Sequence, residues 1–115
     1  MGDAQLKISE TEQGGFTILH LDGDIDAHTS PVLKDAIDKV LTRKKINIIF
    51  DFAKLNYISS AGIGILNASL NTIKGQKGKM GIAGANKTVH DTLEVMYFSR
   101  KVGIFPTIGE AVKIL

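Results

Sequence analysis

The sequence predicts an α/β fold: a mixed, mostly parallel sheet of four to five strands with about four helices, in the order β-β-α-β-α-β-α-β-α. Three observations carry this expectation. Short β-rich runs alternate with stretches of helical apolar period, the pattern of strand–crossover–strand units. The run from Ile46 to Phe52 is nearly continuous in apolar residues, as in a strand covered on both faces. Finally, Gln13-Gly14-Gly15 separates two β-rich runs, so the chain should open with a hairpin that supplies one antiparallel strand. At 115 residues, with no linker, repeat or low-complexity segment, one domain spanning 1–115 is expected.

Each element has a local reason. Leu6 and Ile8 alternate with Lys7 and Ser9, predicting a short first strand, and Phe16 to Leu21 form the second. Thr29-Ser30-Pro31 is a helix start, because a hydroxyl can cap and proline lacks only an N–H that has no helical partner. Val32, Leu33, Ala36, Ile37, Val40 and Leu41 then form one stripe, with Lys39, Arg43 and Lys44 at the closing end of the dipole. After the central strand a second helix is predicted from about Ser60 to Lys74, with Ile63, Leu66, Leu70 and Ile73 on one face and Gly75 as its stop. Lys79 to Ala83 read as a fourth strand. Asn86 or Thr88 opens a third helix carrying Val89, Leu93 and Met96. Gly103 to Pro106 suit a short edge strand, and Thr107 to Glu110 fit a capping box before a last helix.

Composition removes several classes of function. The chain has no cysteine, which excludes disulfides, thiolate zinc sites and cysteine nucleophiles. The first residues lack an apolar signal core and the myristoylation pattern, and no apolar run is long enough to span a bilayer, so a cytoplasmic protein with no membrane partner is expected. A formal net charge of +2 is too small to argue for nucleic acid, and Arg43-Lys44-Lys45 and Lys74, Lys77 and Lys79 lie near helix ends without interleaved aromatics. A monomer or weak dimer without a cofactor fits this balance.

Functional surfaces of such sheets gather at the carboxyl ends of parallel strands. Two predicted loops leave those ends: 22–29, with Asp22, Asp24, Asp26 and His28, and 53–60, with Tyr57, Ser59 and Ser60. These residue types suit several chemistries. For a serine hydrolase, His28 could serve Ser60 with Asp24 or Asp26 behind it, but glycine is missing two places before either serine. For a dinucleotide loop, Gly62-Ile63-Gly64 lacks its third glycine, where Asn67 stands, and no Walker-type Gly-Lys-Ser/Thr exists. Those glycines better suit close helix–sheet packing or a flat surface approached by another chain. Asp24, Asp26 and His28 could face one metal ion, yet these are common turn residues, and no metal is expected. His20 reads as a sheet histidine and His90 as an exposed helix histidine. Two roles stay open for Ser59 and Ser60 at this point: helix cap, or acceptor of a phosphate that the helix N-terminus tolerates.

Two segments, Leu21-Asp22-Gly23-Asp24-Ile25-Asp26 and Asp51-Phe52-Ala53-Lys54-Leu55-Asn56-Tyr57-Ile58-Ser59-Ser60-Ala61-Gly62-Ile63-Gly64, resemble those of STAS domains, specifically the bacterial anti-sigma-factor antagonists. Gly103-Ile104-Phe105 and Glu110-Ala111 are similar to that family's last strand and helix, so the resemblance spans essentially the whole chain. It implies a binding protein, not an enzyme, whose unphosphorylated form holds an anti-sigma factor that is also a serine kinase. Sigma factor is thereby freed; phosphorylation with ATP releases the antagonist, and a PP2C-type phosphatase resets it. The family's acceptor lies two positions before the first glycine, which maps it to Ser60, with Ser59 as the alternative. Asp26 matches an acidic residue near the acceptor. The implied partner surface is Asp24, Asp26, His28, Thr29, Ser59, Ser60, Gly62, Ile63 and Asn67. Ser59 and Ala61 stand where members often carry Asp and Ser or Thr, which removes one negative charge beside the site. A STAS module of another signalling system, or of a lipid-transport ATPase complex, is the alternative reading.

Overall fold

The computed structural model describes residues 5–115, so the expectations about the first residues as a targeting signal lie outside the described part. Five strands form one sheet in the order β1-β2-β3-β4-β5: β1 (Leu6–Gln13), β2 (Phe16–Ile25), β3 (Asn47–Ile58), β4 (Lys79–Ala83) and β5 (Gly103–Phe105). The helices are α1 (Ser30–Thr42), α2 (Ser60–Gly75), α3 (Lys87–Val95) and α4 (Ile108–Ile114), with a 3₁₀ turn at Phe98–Arg100 before β5. β1 runs antiparallel to β2 and every other neighbour is parallel, as the hairpin and the alternation of elements required.

Both faces of the sheet are used, unequally. One packs Leu19, Leu21, Phe50 and Phe52 against Leu33 and Ile37 of α1, Ile63, Leu66 and Leu70 of α2, and Val89 and Leu93 of α3. The other packs Phe16, Ile18, Ile49 and Ala83 under Ala111 of the short α4. Central β3 is therefore apolar on both faces where α4 covers it. Beyond α4 the second face turns polar. There the His20 ring bonds the Thr11 hydroxyl through Nε2 and the Asp51 carboxylate through Nδ1, both at 2.7 Å, joining β1, β2 and β3. These residues, with Lys7 and Lys54, line an open cleft of about 460 Å³.

The observed strands correct three expected boundaries. β1 reaches Gln13, and β2 and β3 continue to Ile25 and Ile58, through what polar composition had marked as the loops 22–29 and 53–60. The reason is the alternation beyond α4: Asp22, Lys54 and Asn56 face solvent while Ile25, Leu55 and Ile58 still bury themselves under the helices. Register shifts at His20/Asp22 and Gly23/Asp24 accommodate the change of twist. Gly23 takes φ +129° there, and a Cβ would stand 2.1 Å from the Gln5 carbonyl oxygen, so no other residue fits.

Helix boundaries hold closely. Asn86, not Thr88, caps α3, its Oδ1 accepting the Val89 N–H at 2.8 Å while its amide donates to the Leu55 carbonyl at 3.1 Å. Met96 falls just past the end of α3 instead of on its buried face. On α1 the stripe is narrower than expected, because Val32 is exposed. Thr107 accepts the Glu110 N–H at 3.1 Å, the forward half of the expected capping box.

Candidate functional site

The site is built by the far ends of β2 and β3, which finish level with each other: Asp24 pairs with Tyr57 and Ile25 with Ile58. One further bond, from the Ser59 N–H to the Ile25 carbonyl at 2.8 Å, locks the start of α2 to the end of β2. This brings the segment Asp24–Thr29 beside Ser59 and Ser60, as strand order alone suggested.

The 26–29 turn is held by its own polar groups. Asp26 Oδ1 accepts the N–H of His28 at 2.8 Å and of Thr29 at 2.9 Å. The Thr29 hydroxyl donates to the Asp24 carbonyl at 2.7 Å and accepts the Asp26 N–H at 3.0 Å. Thr29 is therefore engaged inside the turn, 5% exposed, and makes no side-chain cap for α1. The Thr29 backbone bond is the main reason that Asp26 titrates below its ordinary 3.8, aided by the His28 N–H and the Thr29 hydroxyl.

The turn can be tested by substitution and by pH. Thr29→Val leaves the Asp24 carbonyl and Asp26 N–H without their partner, and thermal or urea unfolding should show a loss of about 1–3 kcal/mol. For Asp26, a folded-state pKa depressed below 3.8 means that its stabilisation is complete well above that value. It is lost as pH falls through the lower, folded-state value. Thermal melts from neutral to acidic pH should show the wild type more stable than Asp26→Asn at neutrality, with the difference vanishing in acid.

The two serines have different surroundings. Ser59, with extended backbone (φ −92°, ψ 170°), is the N-cap of α2, and its hydroxyl accepts the Gly62 N–H at 3.3 Å. Ser60 is the first helical residue and is exposed. Among the described residues no side chain hydrogen-bonds its hydroxyl. Gly62 is buried, and a Cβ there would lie 2.5 Å from Ile25 Cγ2; it is the point where α2 touches the end of β2. Gly64, by contrast, faces open space.

Of the nine residues expected to form the contact surface, His28 and Ser60 are exposed, and Asp24, Asp26, Ser59 and Asn67 are half-buried. Thr29, Gly62 and Ile63 lie beneath them and shape the surface without forming it, because the turn, the helix contact and the core claim them. Asp24, Asp26 and His28 do not converge on a common ion position. Among the described residues the potential metal ligands that do are His90, Asp91 and Glu94, on α3, where Lys87 pairs with Asp91 and His90 with Glu94 at 2.8 Å each. Sequence reasoning missed one partner altogether: Lys101, just past the 3₁₀ turn, donates to Asn67 Oδ1 at 3.0 Å. A contact between residues 34 positions apart leaves no local signal.

Residues 7–111 match the STAS domain family, which decides the family. This chain belongs to the STAS domains. It is 26% identical over 91 residues, 78% of each chain, to the anti-sigma F factor antagonist of Paenibacillus polymyxa. Among solved structures it superposes on an anti-sigma factor antagonist from Mycobacterium paratuberculosis with a TM-score of 0.86 at 19% identity, covering 95% of this chain and 92% of that one. The anti-sigma factor antagonist SpoIIAA in its unphosphorylated form gives a TM-score of 0.76 at 18% identity, covering 96% and 93%. The expected fold and element order are those of a STAS domain. No helix among the described residues is long and apolar enough to cross a membrane.

Proposed function

We propose that this STAS domain is an anti-sigma-factor antagonist, acting as a single cytoplasmic domain that binds a partner and is a kinase substrate, with no catalysis of its own. The unphosphorylated protein holds an anti-sigma factor that is also a serine kinase, which frees the sigma factor. Phosphorylation of Ser60 ends that contact, and a PP2C-type phosphatase restores it.

The observation that carries this reading is the division between the serines. Ser59 is engaged in capping α2, whereas Ser60, one residue on, is exposed with a hydroxyl unengaged among the described residues. A phosphate on Ser60 adds about −1.5 to −2 charges at neutral pH. The first-turn N–H groups and the positive end of the helix dipole accommodate it, so the fold survives. The docked partner feels it instead, because the new charge joins those of Asp24 and Asp26 at the same edge. The name of the Paenibacillus polymyxa relative supports the class of partner.

The test is a binding assay of the purified protein against each anti-sigma-factor kinase of the source organism, with ADP and then with ATP. A stable complex with ADP that dissolves as ATP is consumed is the expected result. Retention on a transporter component, with no kinase bound, contradicts it.

A further inference from the structure

The expected docking surface lacks an apolar anchor. Of its nine residues, those that reach the surface are Asp24, Asp26, His28, Ser59, Ser60 and Asn67, all polar. Ile63, its one large apolar side chain, is 5% exposed and belongs to the core. Stable protein contacts draw most of their binding energy from a few central side chains, tyrosine, tryptophan and arginine above all, with polar groups at the rim. A surface of polar groups alone would select a partner without holding it.

Two large apolar side chains are exposed near this end of the sheet, Val32 at 44% and Tyr57 at 49%. Val32 turns away. It lines a groove between α1 and β1 with Ile8, Asp35 and Lys39, whereas the side of α1 that meets α2 carries Lys34, Asp38 and Leu41. Tyr57 is tied to the switch by the chain itself. It stands three residues before Ser60, and three residues span at most about 11 Å even when fully extended. A standard interface covers about 800 Å² on each partner and so reaches roughly 16 Å from its centre. An interface centred on Ser60 therefore has Tyr57 within its reach.

The register defines what Tyr57 presents. It pairs with Asp24, one step before the pair of Ile25 and Ile58. Those two are buried in the core beneath α1 and α2, and alternation turns Asp24 and Tyr57 to the opposite face, beyond the cover of α4. Among the described residues no aromatic ring and no cation packs on the Tyr57 ring. A threonine would serve the ladder as well, so folding alone does not call for a ring at this position.

We infer that Tyr57 is the apolar anchor of the surface that carries Ser60. The partner wraps round the ends of β2 and β3 and covers the ring with an apolar pocket whose rim lies over Asp24. The inference rests on the function proposed above and divides the labour within it. Tyr57 holds the partner, and Ser60 decides when it is released.

The experiment measures affinity for the purified anti-sigma-factor kinase of the source organism, with ADP, for wild type, Tyr57→Thr, Tyr57→Phe, Val32→Ser and Ser60→Asp, alongside melting temperatures. Tyr57→Thr keeps a β-branched residue in the strand, so its melting temperature should stay close to that of the wild type while affinity falls at least tenfold. Tyr57→Phe, which keeps the ring, should retain most of the affinity. Nitration of Tyr57 by tetranitromethane, read by peptide mass spectrometry, should slow when the kinase is bound. Loss of binding in Ser60→Asp with full affinity in Tyr57→Thr overturns this inference and leaves the function standing. Nitration of Tyr57 at the same rate in the free protein and in the complex does so too. A larger loss in Val32→Ser than in Tyr57→Thr moves the anchor to α1 and likewise overturns it. A wild type that binds no such kinase overturns both the inference and the function.

Discussion

Ser60→Asp is expected to weaken binding to the anti-sigma-factor kinase on the order of 100-fold, while the melting temperature stays close to that of the wild type. The asymmetry comes from where Ser60 lies. A negative charge on the first residue of α2 meets the positive end of the helix dipole, so the domain itself loses nothing. On the proposed docking surface, a partner seated across Asp24, Asp26 and Ser60 would meet added charge on an already acidic edge and a larger side chain in a close contact. Ser60→Ala should bind as tightly as the unphosphorylated protein and stay bound when ATP is supplied. Titration calorimetry of both variants checks this, with Ser59→Ala as the contrast. Loss of the Ser59 cap should instead cost about 1 kcal/mol of stability. Equal effects of Ser59→Asp and Ser60→Asp on binding, with equal melting temperatures, would contradict the separation of roles.

Gly62→Ala should have the largest effect on the frame that presents Ser60. Alanine is the better helix former by about 1 kcal/mol, so an unpacked site would gain stability. Here the added methyl would stand 2.5 Å from Ile25 Cγ2 and 3.0 Å from Ile58 Cγ1, side chains that are both fully buried. Neither neighbour is a flexible end that can swing clear, so the overpacking outweighs the propensity gain, and a net loss of about 1–3 kcal/mol is expected. Relief by movement of α2 would displace Ser60 from Asp24 and strain the bond from the Ser59 N–H to the Ile25 carbonyl. Binding should therefore weaken together with stability. Gly64→Ala is the control, since nothing lies within 4 Å of its added methyl and only the propensity gain remains. Urea denaturation of Gly62→Ala, Ile25→Ala and the double variant tests the contact itself. The double variant should be less destabilised than the sum of the two, because removing the Ile25 branches makes the room that the added methyl needs.

Much of the fold could be read from periodicity. The helices and the central strand announced themselves because burial repeats at the spacing of each element, and Gly14-Gly15 marked the hairpin. The reading stopped at residues 22–25 and 53–58 for a definite reason. Beyond the cover of α4 only one face of β2 and β3 is apolar, so Asp22, Lys54, Asn56 and Tyr57 resemble loop residues although the ladder continues. The site was legible in part. Placing two strand ends together put Asp24, Asp26, Ser59 and Ser60 at one edge, and the helix start left cap and phosphate acceptor as the two open roles of the serines. Which serine caps depends on a single backbone angle, the extended ψ of Ser59, and spacing carries no trace of it. Thr29, Gly62 and Ile63 belong to the same motifs as the exposed residues, and only packing separates them. The Asn67–Lys101 bond arises from the path of the chain between α3 and β5, which no local pattern encodes.

The central claim is that Ser60, and not its neighbour, carries the switch. The direct measurement is mass spectrometry of the intact chain and its peptides after incubation with the partner kinase and ATP, for wild type, Ser59→Ala and Ser60→Ala. One phosphate mapped to Ser60 in wild type and Ser59→Ala, and none in Ser60→Ala, is the expected result. A phosphate on Ser59, or on any residue of Ser60→Ala at the wild-type rate, would contradict it.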